Sequence, residues 1–164
     1  INTAIISIIS QNYGAKNFNR IKETYITAIK YAFIIMVISG IIVFISANII
    51  TSVFSNDPGV IEYGKRYLKI SAFVLPAYPV FFLSNGFFMA LKKSEYAMIS
   101  NFFRNVLNPI VVFYIAKYIS ASFNTFFWIW VGINWFFSIS YFLIIIYYFK
   151  TRLDKLSAVL NPKP

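Results

Sequence analysis

Long apolar runs alternate with short charged intervals along the chain, and that alternation sets its elements. Residues 31–56, 70–91 and 118–149 carry no charged side chain, and 96–116 carries only Arg104. The hydrocarbon core of a bilayer is about 30 Å thick and is crossed by about 20 helical residues, so each stretch can span it once. The runs are continuously apolar, as in IIMVISGIIVFI, and do not alternate, which favours helices over a membrane barrel. The pattern predicts four complete spans, at 31–54, 70–91, 96–116 and 126–149. A partial helix at 1–10 precedes them and a tail at 151–164 follows. INTAIISIIS is too short to cross and starts on Ile without an initiator Met, so it reads as the end of a preceding helix and the chain as a fragment. A signal peptide would show a basic start and a small-residue cleavage site, and neither is present.

Boundary residues agree with this map. Asp57 followed by Pro58 reads as an N-cap and first helical residue, so the helix that enters the 70–91 span starts in the preceding loop. Phe18, Ile21, Tyr25, Ala28 and Ile29 recur at helical spacing among charges. They predict a helix lying along the membrane interface before the chain dives. The tail ends in NPKP, which cannot continue a helix.

Composition narrows the class. Of 164 residues, 59% are hydrophobic and only 12% charged, half the charge of a typical globular domain, so the chain cannot cover itself against water. The net charge of +10 lies between apolar runs, where membrane orientation accounts for it better than nucleic acid does. The side that receives 11–30, the Lys92-Lys93 loop and the tail holds ten Lys and Arg, against four on the opposite side. The positive-inside rule therefore places the C-terminus in the cytoplasm. Zero Cys and zero His remove the usual nucleophile, base and metal ligands. The five acids, Glu23, Asp57, Glu62, Glu95 and Asp154, are too scattered to read as a catalytic pair or a carboxylate metal site. An enzyme is the least favoured class, and no metal site is expected.

Two stretches say more. Gln11-Asn12-Tyr13-Gly14-Ala15-Lys16, followed by Arg20, comes directly after an apolar helix end. Phe54-Ser55-Asn56-Asp57-Pro58-Gly59-Val60-Ile61 is followed by Tyr67-Leu68-Lys69-Ile70. In order and spacing they resemble the C-terminal half of a multidrug and toxic compound extrusion (MATE) transporter, over roughly residues 5–150. In that family a Gly-Ala turn with a downstream Arg links two helices on the cytoplasmic side, and a Phe-x-x-Asp-(Pro)-x-Val-Ile loop leads into a Tyr-Leu-x-Ile helix. The resemblance implies an all-α integral membrane protein: a helical bundle of four complete transmembrane helices plus the end of a fifth, half of a twelve-helix, two-lobe transporter with cytoplasmic termini. Read without the resemblance, Gly14 is a helix C-cap followed by a solvated basic loop.

Candidate chemistry lies inside the spans. Asn101, Arg104, Asn105 and Asn108 form one polar stripe on a 3.6-residue helix. About ten Ile, Leu, Val and Phe residues favour insertion of this segment by roughly 3 to 6 kcal/mol. Arg104 costs about 2.5 to 3.5 kcal/mol near the helix centre, so with three Asn and Pro109 the helix needs protein or water along that face. The plainest fate for Arg104 is to snorkel toward cytoplasmic headgroups; the alternative is to line a cavity. In 70–91, Pro76 and Pro79 free the carbonyls of Ala72 and Leu75 and predict a bend. Ser71, Tyr78, Phe82, Asn85 and Met89 share one face, a surface that suits a bulky, partly apolar cation but equally ordinary bundle packing. Phe127, Trp130, Asn134, Ser138 and Tyr141 share a face of the last span and read as lobe packing, with Trp128 as an interface-belt residue. Ser39, Gly40 and Ser46 permit close helix approach.

These readings give Tyr78, Phe82, Asn85, Arg104 and Asn108 as substrate-binding candidates. The function they support is part of a cation-coupled efflux antiporter for organic cations or drugs, working by alternating access in the plasma (inner) membrane. Family members couple export to Na⁺ or H⁺ through carboxylates inside helices, whereas 70–91 has no acid. The coupling ion is therefore expected mainly outside this chain, with no other cofactor. The expected partners are the lipid bilayer, an N-terminal lobe and a drug-like organic cation, not nucleic acid. The alternatives are a lipid-linked oligosaccharide flippase, which would need more cavity cations than Arg104, and a non-transporting scaffold subunit.

Overall fold

A computed structural model describes residues 2–153, and every regular element in them is helical. The tail with Lys155, Lys163 and NPKP lies outside the described residues. Helix α1 is Asn2–Gly14 and α2 is Phe18–Phe54. The next passage is α3, Pro58–Ser71, a 3-10 segment, Ala72–Ala77, and α4, Tyr78–Ala90. The following one is α5, Ser94–Phe102, a π-helical turn, Phe103–Leu107, and α6, Asn108–Tyr118. Helix α7, Phe123–Tyr148, passes into a second π turn, Phe149–Leu153.

Helix α2 corrects one expectation. Its 37 residues run without a break, so 18–30 is the first part of a rod about 55 Å long and not a separate interfacial helix. No proline interrupts it, and Asn17 caps its start by accepting from the Arg20 N–H. The periodic residues Phe18, Ile21 and Tyr25 are buried against the lobe rather than laid on headgroups. Tyr25 Oη and Ser84 Oγ share a hydrogen bond of 2.7 Å, and the Tyr25 ring meets Phe87 and Phe149 at 5.2 and 5.5 Å.

The turn after α1 corrects another. Gly14 is the last residue of α1, and the left-handed position is taken by Lys16, with φ of 58°. Asn17 N–H donates to the Asn12 carbonyl at 2.8 Å across it. Lys92 and Ser120 repeat the arrangement after α4 and α6, with φ of 59° and 49°, and with Lys93→Phe88 and Ala121→Ala116 bonds of 2.9 and 2.8 Å.

Helix α4 lies at the centre, packed by α1, α2, α5 and α7. A Cβ on Gly86 would meet the Asn2 side chain and Ile6, so α1 seats directly on it. The main core joins Ile5, Ile9, Ile21, Tyr25, Phe87, Phe88, Ile145 and Leu153. A smaller one, Ile70, Val74 and Val131, sits under Tyr78, Phe127, Trp130 and Trp135. Gly40 brings α2 against the 3-10 segment: a Cβ there would lie 2.9 Å from the Ala72 carbonyl oxygen. Ile38, Ile41, Ile42, Ile45 and Ile49 turn outward from α2, and its apolar window, of mean hydropathy 2.7, is only 11% buried. That apolar exposure is stable in lipid and not in water. Among the described residues, three helices are long and apolar enough to cross a membrane: Phe18–Phe54, Pro58–Ala90 and Phe123–Leu153. The path 94–118 is continuous, but its Asn and Arg stripe keeps it below that mark, as the insertion balance predicts.

Candidate functional site

Local backbone chemistry positions the site. Pro76 cannot donate to Ala72, and the chain tightens into 3-10 geometry, in which Tyr78 N–H reaches the Leu75 carbonyl. Helix α7 satisfies two other carbonyls there: Ser138 Oγ donates to Ala77 at 3.0 Å and Trp135 Nε1 to Phe73 at 2.9 Å. In the next passage Pro109 likewise lacks an N–H, and the preceding turn widens so that Asn108 N–H donates to the Phe103 carbonyl five residues back. Arg104 stands in that widened turn.

Its guanidinium does not snorkel to headgroups. It lies on three rings of α4, with its central carbon 4.3 Å from the Phe81 centroid, 4.7 Å from Tyr78 and 5.0 Å from Phe82. Such contacts are worth about 0.5 to 2 kcal/mol each and offset much of the cost of a cation at membrane depth. Tyr78, Phe81 and Phe82 follow i, i+3, i+4 spacing, which places all three on the face opposite Arg104.

The five candidates fall into two groups. Tyr78, Phe82 and Arg104 come together, with Phe82 48% exposed and the other two half-buried; Met89, Asn101 and Asn105, farther along the same two passages or beside the turn, are exposed. Asn85 and Asn108 are buried, at 7% and 2% exposure. Asn85 Oδ1 accepts from Tyr141 Oη at 3.0 Å, and its Nδ2 donates to Asn101 Oδ1 at 3.4 Å. Asn108 Oδ1 and Ser71 Oγ are buried without a hydrogen-bond partner. In α7, Asn134, Ser138 and Tyr141 face the lobe interior, and Trp128 is 49% exposed. Phe81, the ring nearest Arg104, is absent from the sequence-derived candidates, although its spacing from Tyr78 was visible.

Two cavities flank these elements. One, of about 310 Å³, runs from Arg104 and Phe103 to Phe137, Ser140 and Tyr141. The other, of about 630 Å³, lies between α2, the 3-10 segment and α7, with Phe33, Phe44, Phe73, Trp128 and Trp135 on its walls. No group of three or more metal-ligating side chains occurs among the described residues.

A many-helix membrane bundle with two interrupted passages and a cation, Arg104, held among aromatic rings is the class that fold and site define. The MatE family profile matches residues 1–115, and the chain belongs to that family. Two solved structures share the fold at 20% identity. A crystal structure of MATE in complex with MaL6 superposes with a TM-score of 0.83 over 94% of this chain and 34% of its own. The inward-facing conformation of a multidrug resistance MATE family transporter of the MOP superfamily superposes at 0.80, over 94% and 35%. This chain thus spans about a third of the length of either transporter. No curated protein matches significantly.

Proposed function

We propose that residues 1–150 form the C-terminal lobe of an efflux antiporter that exports organic cations or drug-like molecules by alternating access in the plasma (inner) membrane. The observation that carries this reading is the surface of Tyr78, Phe82 and Arg104, which the lobe builds and leaves partly open, with Phe82 exposed and Tyr78 and Arg104 half-buried. Aromatic faces and a thioether at Met89 give an adaptable wall for bulky substrates, and a second lobe would close it. Asn85 acts from behind this wall through its Tyr141 and Asn101 bonds, and Asn108 through the packing of the polar stripe. Coupling ions, Na⁺ or H⁺, bind mainly outside this chain, since 70–91 has no carboxylate. Lys16, Arg20, Lys22, Lys92 and Lys93 face the cytoplasm, as does the tail.

Proteoliposomes holding the transporter that contains this chain should expel ethidium when an inward H⁺ or Na⁺ gradient is imposed, and stop when the gradient is collapsed. The isolated 164-residue chain should not. Gradient-driven export by the isolated chain, or none by the larger protein under either gradient, overturns the reading.

A further inference from the structure

Arg104 is a cation without a counter-ion among the described residues. Glu23 lies 3.8 Å from Arg20, Glu62 pairs with Arg66, and Asp57 is spent as the cap of α3, accepting from Gly59 and Val60. Glu95 stands nine residues before Arg104 on the same helical path, about 13 Å along the axis. The three rings surround the guanidinium and offer no carboxylate, and the Tyr78 hydroxyl accepts one hydrogen bond from it. A guanidinium carries five N–H donors in its plane, so four remain beyond the Tyr78 bond, enough for the planar fork that matches a carboxylate with two parallel hydrogen bonds. Beside the fork opens the cavity of about 310 Å³, whose walls are aromatic and aliphatic apart from Ser100, Ser140 and the Tyr hydroxyls. That is the low end of the size range of small-molecule pockets, with one charged anchor and apolar walls.

We infer that Arg104 is a carboxylate receptor: it grips the carboxylate of an aromatic or amphoteric substrate whose apolar body enters the cavity between α4, the widened turn and α7. As a statement of substrate class this rests on the exporter reading above. The cationic group of a substrate lies elsewhere on the aromatic wall, away from this point, whereas a carboxylate neutralises the guanidinium at depth, where the pairing is strongest. The same chemistry can come from an Asp or Glu of the other lobe, and the experiment separates the two sources.

The probes are 2-naphthoate, its methyl ester and 2-naphthylmethylammonium, titrated into the transporter that contains this chain, held in nanodiscs. Naphthoate should bind about tenfold or more tighter than the other two. Arg104→Gln should remove that advantage, so that it binds naphthoate and the ester alike, and a wild-type circular dichroism spectrum and gel-filtration profile report that the variant is folded. Arg104→Lys keeps the charge and loses the fork, and should retain only part of the preference. Equal binding of the three probes, or naphthoate binding indifferent to Arg104→Gln, overturns the inference. So does an absence of naphthoate binding to the wild-type transporter, the result expected if an acid from the other lobe already holds the guanidinium. Ethidium export measured in parallel distinguishes the failures: export without naphthoate binding sinks the receptor and spares the exporter, and the reverse does the opposite.

Discussion

The passage through 58–90 tightens into 3-10 geometry at Ala72–Ala77, whereas the passage through 94–118 widens into π geometry at Phe103–Leu107. Both contain a proline at or just after the break, yet their surroundings differ. The first is largely covered by the lobe: Ala72, Val74 and Ala77 are buried, with Phe73 left 49% exposed toward the cavity beside α2, α2 presses on it at Gly40, and α7 sends Trp135 and Ser138 to its carbonyls. Within the second, Phe103, Asn105 and Val106 are exposed and Arg104 is half-buried. Irregular backbone at membrane depth needs protein or a water-filled cavity around it. The lobe supplies the protein for one break and leaves the other to whatever closes over it. The first break is thus mainly a packing device, and the second is the one this chain leaves more open.

The difference should be largest in membrane insertion. Replacing Arg104 by Leu exchanges a cost of about 2.5 to 3.5 kcal/mol for a gain of about 0.3 to 0.6 kcal/mol, a swing of more than a hundredfold. A glycosylation-reporter assay on 94–118 in a host protein should show the wild-type segment partly inserted and Arg104→Leu fully inserted. Equal insertion would mean that the stripe is no burden in lipid, and the contrast between the passages would lose its energetic basis.

The covered break should respond to volume. In Gly40→Val the new Cβ meets a carbonyl oxygen rather than a flexible side-chain tip, so helix α2 must back away from the 3-10 segment. Overpacking of this kind costs about 1 to 3 kcal/mol, read as a drop in thermal unfolding temperature of the detergent-solubilised transporter. Enlarging Gly132, which has nothing within 4 Å of a built Cβ, is the matched control and should change little. Next in size come Ser138→Ala and Trp135→Phe, each deleting one side-chain bond to the break, at about 0.6 to 1.7 kcal/mol. If both are silent in the same assay, the tightened carbonyls find other donors and α7 is not their seal.

Much of this architecture was legible in the chain. Charge-free runs marked the membrane helices, and Asp57-Pro58 marked the start of α3, because a cap and a proline act through near neighbours. Pro76 and Pro79 announced a bend and freed carbonyls at Ala72 and Leu75, but not that α7 would serve the carbonyls of Phe73 and Ala77, a matter of how two distant helices register. The interfacial helix at 18–30 was misread because its periodic apolar face packs on the lobe as well as it would on lipid, and sequence does not distinguish the two. Gly14 drew attention as a turn residue, yet Lys16 took the left-handed position, since the stop of α1 is set by the bond from Asn17 back to Asn12. For the site, the polar stripe and the aromatic face were each visible. Their meeting at Arg104 was not, because it depends on α5 and α4 packing side by side around a widened turn.

That meeting offers the finest test of the comparison. Phe81 is 4% exposed and Phe82 48%, although both rings lie within 5 Å of the guanidinium. Phe81→Ala removes core packing as well as a cation contact and should cost about 3 to 5 kcal/mol, which masks the ring's electrostatic role. Phe82→Leu keeps most of the apolar volume, and its site is half open. Its cost in stability should therefore be limited to the lost ring, about 0.5 to 1 kcal/mol. A double-mutant cycle with Arg104→Gln isolates that part: the Phe82 loss should shrink toward zero when the guanidinium is gone. Losses that simply add would show that ring and cation are neighbours without attraction, and that Arg104 keeps its position by the backbone of the widened turn alone.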